Sequence, residues 1–220
     1  MKFNNIKAII FDLDGVITNT SEYHYKAWKR LADDLGIIFN REINEKLRGI
    51  PRKESLEIIL GDLKIKEEKK QRLMEIKNGY YIDYLKKMTP RDILPGSLEL
   101  LEETREAGIK IGIGSSSKNA KTVINKLKLE KFIDAISDGY SVVNRKPAPD
   151  LFLNCAAKLG VMPEKAIVVE DAESGVEAAL NGRFWVIGLG PKNRVGKAHI
   201  VFPDLKNIRL GNFINIESLS

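Results

Sequence analysis

The chain has 220 residues, of which 43% are hydrophobic and 30% are charged. This composition is typical of a folded globular protein and excludes a largely disordered chain. Lysine and arginine exceed aspartate and glutamate by 36 − 30 = 6, a balance that suits either an anionic small substrate or nucleic acid. Because basic and acidic residues alternate along the chain, we expect solvated helix faces and no nucleic-acid partner.

Cysteine content and hydropathy predict the compartment. Cys155 is the only cysteine, so an internal disulfide is excluded, and we expect a buried helix thiol because no partner motif surrounds it. No apolar stretch reaches the length of a membrane span. The apolar run that stops at Asp12 is too short for a signal peptide. We therefore expect a cytoplasmic protein, monomeric and with no membrane partner.

The first part of the chain predicts one strand followed only by helices. Residues 7–11 form a short apolar run that reads as a buried strand. From about residue 21 to 36 the apolar period becomes helical. The stripe of this helix consists of His24, Trp28, Leu31 and Leu35. Charge-rich helical sequence continues to about residue 87, and a connector with two prolines and a glycine comes next at 88–96.

The remainder of the chain alternates helices and strands. Helices are predicted at about 97–107, 118–128, 150–160 and 174–181, and strands at 109–113, 132–137, 166–170, 185–190 and 199–202. Such alternation indicates a parallel sheet covered on both faces. We therefore predict an α/β fold in which a Rossmann-like parallel sheet core (residues 1–17 and 92–220) carries an inserted α-helical cap domain (residues 18–91).

Two carboxylates follow the first predicted strand. In the segment FDLDGVIT, Asp12 ends the strand and Asp14 lies two residues later, with Gly15 allowing a tight turn. A carboxylate at Asp12 can attack phosphorus as a nucleophile, and a carboxyl group at Asp14 can pass protons to and from substrate oxygens. The alternative is a solvated Asp/Gly turn.

Three further motifs lie at strand ends or helix starts, where open parallel sheets bind ligands. The serines at 115–117 could bind an anion at a helix start or merely cap that helix. Lys146, before a proline, could offer an ammonium to a phosphoryl group or lie in a surface turn. The adjacent acids Glu170 and Asp171 favour a cation, and oxygen ligands without His or Cys suit Mg²⁺. The alternative for these acids is a helix-capping pair.

Taken together, these motifs resemble the haloacid-dehalogenase-like superfamily over essentially the whole chain. The resemblance implies that Asp12 becomes phosphorylated and that Asp14 is the general acid/base. It also implies Mg²⁺ held by Asp12, the Asp14 backbone carbonyl and Asp171, with Glu170 reaching it directly or through water. Ser115, the Ser116 backbone and Lys146 would hold the transferring phosphoryl oxygens.

Segments of the predicted cap resemble the β-phosphoglucomutase family within this superfamily. The matching stretches are GVITNTSEYHYKAW (15–28), RGIPRKES (48–55), IKN (76–78) and, in the core, SSSKNA (115–120). The resemblance implies catalytic roles for Thr20 and His24. It also implies that other residues bind the sugar and its phosphates. Its substrate-binding residues would be Arg52, Ser55, Lys77, Asn78, Ser117, Lys118 and Asn119. His24 has a second interpretation, that of a hydrogen-bonded core histidine, because it lies on an apolar stripe.

The function implied is interconversion of β-glucose 1-phosphate and glucose 6-phosphate through a phospho-aspartate and glucose 1,6-bisphosphate. The main alternative is a sugar-phosphate phosphatase with the same nucleophile, and a more distant one is a non-catalytic binding protein. Two features depart from the family pattern. Asn19 stands where the family usually has aspartate, and the segment LNGRFW (180–185) lies where relatives have small residues, so its local packing is in question.

Overall fold

The computed structural model describes residues 2–47 and 52–215. The chain divides into two compact units, the first made of Met1–Asn19 and Thr89–Ser220 and the second of Thr20–Met88. The predicted core and cap have bounds that lie two or three residues from these.

The first unit contains a six-stranded sheet in the order β3-β2-β1-β4-β5-β6. Its strands are β1 Ala8–Phe11, β2 Lys110–Gly114, β3 Ala135–Ser137, β4 Ala166–Glu170, β5 Trp185–Leu189 and β6 Ile200–Phe202. All neighbouring strands are parallel. The predicted parallel α/β sheet is therefore confirmed, and β1 and β4 lie at its centre, where both faces are buried.

The α-helices of the described residues follow the predicted order, except that the short α9 was not predicted. They are α1 Ser21–Asp34, α2 Arg41–Glu45, α3 Arg52–Leu60, α4 Glu67–Leu85, α5 Ser97–Glu106, α6 Ala120–Leu127, α7 Asp150–Leu159, α8 Glu173–Asn181 and α9 Lys192–Val195. Helices α1 to α4 belong to the second unit, where the described residues contain no strand. None of the described helices is both long and apolar enough to cross a membrane.

The core of the first unit explains why its strands read as continuous apolar runs. Every residue of β1 and β4 is buried, because helices cover a parallel sheet on both faces. Helices α7 and α8 pack on one face through a cluster that includes Ile10, Phe152 and Val168. Cys155 is buried in the same cluster, where burial raises the pKa of its thiol to about 12. The prediction of a buried helix thiol is confirmed.

The second unit has its own apolar core. The predicted stripe of α1 contributes Trp28 and Leu31, which are buried against Leu56 and Leu60 of α3 and Leu73 of α4. Leu35 packs against the same cluster from its edge. Amphipathic helices gain most of their stability from such packing, so the four helices stabilise one another within this unit.

Candidate functional site

The carboxyl end of β1 presents Asp12 to the sheet edge. Its Oδ2 accepts a hydrogen bond from the Asp14 backbone N–H at 2.9 Å, so the turn after the strand fixes the orientation of the carboxylate. Gly15 follows with φ +86°, and a Cβ there would come within 2.4 Å of the Asp171 carboxyl carbon. Only glycine accommodates both that conformation and the close approach of Asp171.

Lys146 joins two of the predicted acids. Its Nζ lies 2.5 Å from Asp12 Oδ1 and 2.7 Å from Glu170 Oε2, and only 9% of its side chain is exposed. Burial by itself would lower the pKa of Lys146, but the charges of Asp12 and Glu170 outweigh burial and raise this pKa above its ordinary value. Lys146 is therefore a permanent cation at neutral pH.

Glu170 is held on both of its oxygens. Oε2 accepts from Lys146, and Oε1 accepts from the backbone N–H groups of Asp171 and Ala172 at 3.0 and 2.9 Å. Helix α8 begins directly after this turn, and a Cβ on its Gly175 would lie 2.1 Å from the Glu170 carboxyl carbon. The glycine thus makes room for the carboxylate.

Three carboxylates converge at this edge. One oxygen each from Asp12, Glu170 and Asp171 lies within 4.8 Å of the others. Burial raises the pKa of Glu170 to about 7, with Lys146 acting against the rise, and burial followed by the charge of Asp12 raises the pKa of Asp171 to about 6. Two cations, Lys146 and the more distant Arg194, do not offset three acids. A divalent cation with oxygen ligands would relieve the remaining repulsion, so the residues present fit Mg²⁺.

The predicted anion-binding loop follows β2 at the same sheet edge. Ser115 is buried, and its Oγ accepts from the Ser117 backbone N–H at 3.1 Å, while Ser117 Oγ accepts from the Asn119 N–H at 3.2 Å. Ser116 and Lys118 are exposed. Two successive hydrogen bonds from backbone N–H groups to serine hydroxyls therefore define the conformation of residues 115–119 before helix α6. Lys118 Nζ lies 4.6 Å from the ring centre of Tyr140.

In the second unit, the half-buried His24 contacts the buried Lys77. Lys77 Nζ lies 2.7 Å from His24 Nδ1, and the imidazole stacks on Tyr81 with ring centres 4.1 Å apart. Burial, followed by the charges of Lys77 and Arg52, lowers the pKa of His24 well below its ordinary value. Burial and Arg52 likewise lower the pKa of Lys77. His24 is thus neutral near pH 7 and makes a specific polar contact.

The other predicted residues of the second unit lie on helices α3 and α4 or at the start of α1. Arg52 Nη2 donates to Asn78 Oδ1 at 3.1 Å, which joins the first residue of α3 to α4. Ser55 is buried one turn after Arg52, and Thr20 is buried at the start of α1. Two polar contacts, Arg52 with Asn78 and His24 with Lys77, therefore involve neighbouring residues of α4. Residues 48–51 of the matching stretch lie outside the described part of the chain.

Two side chains near Lys146 and Asp171 were missed by reasoning from the sequence. Arg194, in α9, has Nη2 3.9 Å from Asp171 Oδ2. Phe152, in α7, places its ring centre 4.7 Å from Lys146 Nζ. Arg194 gave no signal, since it lies in a short charged segment for which the sequence predicted no element. Phe152 follows Pro147 by five residues on the apolar face of a helix, a position that indicates core packing alone.

The two departures from the family pattern differ in burial. Asn19 is exposed, beside the buried Thr18 and Thr20. In the segment LNGRFW, Arg183 adopts φ +62° just after helix α8, and the following Phe184 is buried. The left-handed residue ends the helix and turns the aromatic side chain into the core, so the unusual sequence is packed well.

Comparison with known proteins agrees with this geometry. A family model described as "Haloacid dehalogenase-like hydrolase" matches residues 9–188. The chain is 41% identical over 209 residues to a β-phosphoglucomutase of Bacillus subtilis, covering 93% of this chain and 92% of the relative. It is 34% identical to a phosphorylated carbohydrates phosphatase of Thermotoga maritima, covering 79% and 80%. A solved β-phosphoglucomutase of Clostridium difficile superposes with a TM-score of 0.88 at 40% identity, covering 94% and 95%.

Proposed function

We infer that this chain, which belongs to the haloacid dehalogenase-like hydrolase family, is a phosphosugar mutase that interconverts β-glucose 1-phosphate and glucose 6-phosphate. The observation that carries the proposal is the Asp12 carboxylate held between the Asp14 N–H and the Lys146 ammonium. Similarity to two β-phosphoglucomutases over more than nine-tenths of the chain supports the choice of substrate. We propose that the first unit carries the catalytic groups and that the second unit acts as a substrate-binding cap.

In the proposed reaction Asp12 attacks one phosphorus of bound glucose 1,6-bisphosphate. A bond forms between its carboxylate oxygen and phosphorus, and the bond from phosphorus to the sugar oxygen breaks. Asp14 donates a proton to the departing sugar oxygen and later takes one from the hydroxyl that attacks the phospho-aspartate. Transfer of the 1-phosphate to Asp12 leaves glucose 6-phosphate, and attack of the 6-hydroxyl of β-glucose 1-phosphate on the phospho-aspartate regenerates glucose 1,6-bisphosphate and free Asp12.

The positive charges of the site make the attack of an anion on an anion feasible. Lys146 is already fixed beside Asp12, so it can hold a transferring phosphoryl oxygen without rearrangement. Mg²⁺ would neutralise charge on the same oxygens when bound. Asp12, the Asp14 backbone carbonyl and Asp171 would be its ligands. Both Glu170 oxygens already have protein donors, so for Glu170 we favour contact through water.

A mutase also needs to bind the phosphate that is not being transferred. We propose that the loop of Ser115, Ser116, Ser117, Lys118 and Asn119 contributes to phosphate binding in the first unit. For the second unit we propose Arg52, Ser55, Lys77 and Asn78 as substrate contacts. The contact between Arg52 and Asn78 supports this assignment, because a guanidinium held in one orientation suits the geometry of a phosphate. Thr20 and His24 are proposed to assist proton transfer.

The assignment of the nucleophile is tested by Asp12→Asn. Intact-mass measurement after incubation with acetyl phosphate and Mg²⁺ should show a phosphoryl adduct on the unmodified protein and none on the variant, because an amide is not a nucleophile. Asp138→Asn is a matched control, since Asp138 lies in the same unit but follows β3 and contacts Ser141. Phosphorylation of Asp12→Asn at the normal rate would refute the assignment.

The similarity to a carbohydrate phosphatase favours one second candidate, in which water cleaves the phospho-aspartate and inorganic phosphate is released. Arg52→Ala separates the two functions. A mutase that must keep a bisphosphate bound should lose most interconversion while Asp12 is still phosphorylated by acetyl phosphate. Arg72→Ala, on the exposed face of α4 and paired only with Glu68 among the contacts described, should leave the rate unchanged. Full interconversion by Arg52→Ala would exclude Arg52 as the phosphate contact, whereas release of inorganic phosphate without interconversion by the unmodified protein would favour the phosphatase.

A further inference from the structure

The ammonium of Lys146 has an aromatic neighbour in addition to its two carboxylates. Phe152 lies in the first turn of α7 with no exposed surface, and its ring centre is 4.7 Å from Lys146 Nζ. A cation at this distance from a ring face is attracted by the electrons of the ring, most strongly where water is excluded. Lys146 is therefore held from a third direction by an uncharged group.

The Phe152 ring occupies space that is available because residue 114 is a glycine. Gly114 ends β2, and a Cβ there would lie 2.8 Å from both Cδ1 and Cε1 of the ring. Any larger residue at 114 would push the ring away. The strand that leads to Ser115 thus leaves a space that Phe152 fills.

A second aromatic side chain supports the ring from its edge. Phe184 packs against Phe152 with ring centres 6.2 Å apart and planes at 68°, an edge-to-face arrangement. Gly182 makes room for it, because a Cβ there would lie 2.7 Å from Phe184 Cε2. The left-handed Arg183 then turns Phe184 inward. The unusual segment LNGRFW therefore supplies Phe184, which contacts the residue beside Lys146.

We propose that Phe152 is a positioning residue for Lys146, with Phe184 as its support. With the two carboxylates alone, the ammonium could move toward either Asp12 or Glu170. The Phe152 ring restricts the ammonium to a position from which it contacts both. The proposal deepens the proposed function, because it rests on Lys146 holding the transferring phosphoryl oxygens. Phe152 touches the ammonium and not the substrate, so it acts through Lys146.

The first test uses the folded protein without substrate. Ring currents of Phe152 should shift the ε-methylene protons of Lys146 upfield in NMR spectra of the unmodified protein labelled with ¹³C-lysine. Phe152→Leu should remove that shift, and Phe184→Leu should reduce it. Phe213→Leu is the matched control, a fully buried phenylalanine beside Phe3, and should leave it intact. Ordinary Lys146 shifts in the unmodified protein would overturn the proposal even if no Phe152 variant folds.

The second test measures phosphorylation of Asp12 by acetyl phosphate. Phe152→Leu should lower the maximal rate about tenfold, as expected for a contact to a desolvated cation, with a smaller effect for Phe184→Leu. Phe213→Leu should lose thermal stability without losing rate. Equal rate losses in Phe152→Leu and Phe213→Leu would show that Phe152 contributes only core packing and would overturn the proposal. If the unmodified protein is not phosphorylated at all, the proposed function fails, while the NMR result still decides the position of Lys146.

Discussion

Replacing Lys146 by methionine should test the electrostatics of the site most severely. Lys146 contacts both Asp12 and Glu170, and the exposed fractions of the three side chains are 9%, 9% and 1%. Methionine has a similar length and no charge. Removing one partner of a buried ion pair generally costs about 3–5 kcal/mol, because the other charge remains buried. We expect a loss of that size in the free energy of unfolding at pH 8 without Mg²⁺.

The loss should depend on pH in a defined direction. The pKa of Glu170 is about 7 in the folded protein and near 4.5 when unperturbed, so its contribution to stability is present below pH 4.5 and is lost as pH rises through the folded pKa. Without Lys146 the folded pKa of Glu170 rises further. The deficit of Lys146→Met should therefore be larger at pH 8 than at pH 6.

Urea unfolding with a chelator measures both effects. Lys197→Met is the matched control, because Lys197 pairs with Glu173 and Glu177 on an exposed surface, where ion pairs contribute little. Added Mg²⁺ should restore part of the stability of Lys146→Met. If Lys146→Met loses no more stability than the control at pH 8, Asp12 and Glu170 are not held as buried anions by Lys146, and the electrostatic reasoning is refuted.

Three further predictions have a definite sign. Asp171→Asn should raise the Mg²⁺ concentration needed for half-maximal rate, since one anionic ligand is lost; a titration with unchanged midpoint would exclude that role. Gly175→Ala should destabilise the protein by about 1–3 kcal/mol, because the new Cβ would lie 2.1 Å from the Glu170 carboxyl group. Gly79→Ala should instead stabilise the protein by about 1 kcal/mol, because no atom lies within 4 Å of the new Cβ in helix α4. Urea unfolding compares the two, and equal signs would contradict the structure. Burial above all lowers the pKa of Lys77 in the folded protein well below 10.5. Between that lowered pKa and 10.5, the unfolded chain binds a proton at Lys77 more readily than the folded protein does. The free energy of unfolding should therefore rise with pH in this range. Lys77→Met should flatten that rise in unfolding curves from about pH 7.5 to 9.5, and an unaltered slope would mean that Lys77 is not buried.

The elements of the first unit were predictable because local pattern and tertiary environment agree. The run of apolar residues before Glu170 predicted β4 as Ala166–Glu170, and the structure has the same bounds. Acids at the ends of β1 and β4 could be expected to meet, since parallel strands end at one sheet edge. The structure brings Asp12, Glu170 and Asp171 together as expected.

The sequence could not predict contacts between segments that lie far apart along the chain. Arg194 reaches Asp171 only because α9 follows β5 beside β4, and no local pattern encodes that neighbour. Phe152 occupies an apolar helix position, so its contact with Lys146 was hidden by ordinary core periodicity. His24 showed the same ambiguity. Its stripe position predicted packing, while its hydrogen bond with Lys77 required helices α1 and α4 to be placed side by side.

The most direct test of the central claim is a coupled assay for glucose 6-phosphate, run with inorganic phosphate measured in the same samples. Purified protein with Mg²⁺, a trace of glucose 1,6-bisphosphate and β-glucose 1-phosphate should form glucose 6-phosphate rapidly and release almost no phosphate. The same protein carrying Asp12→Asn should do neither. Release of one phosphate for each β-glucose 1-phosphate consumed, without formation of glucose 6-phosphate, would contradict the mutase function and identify a phosphatase.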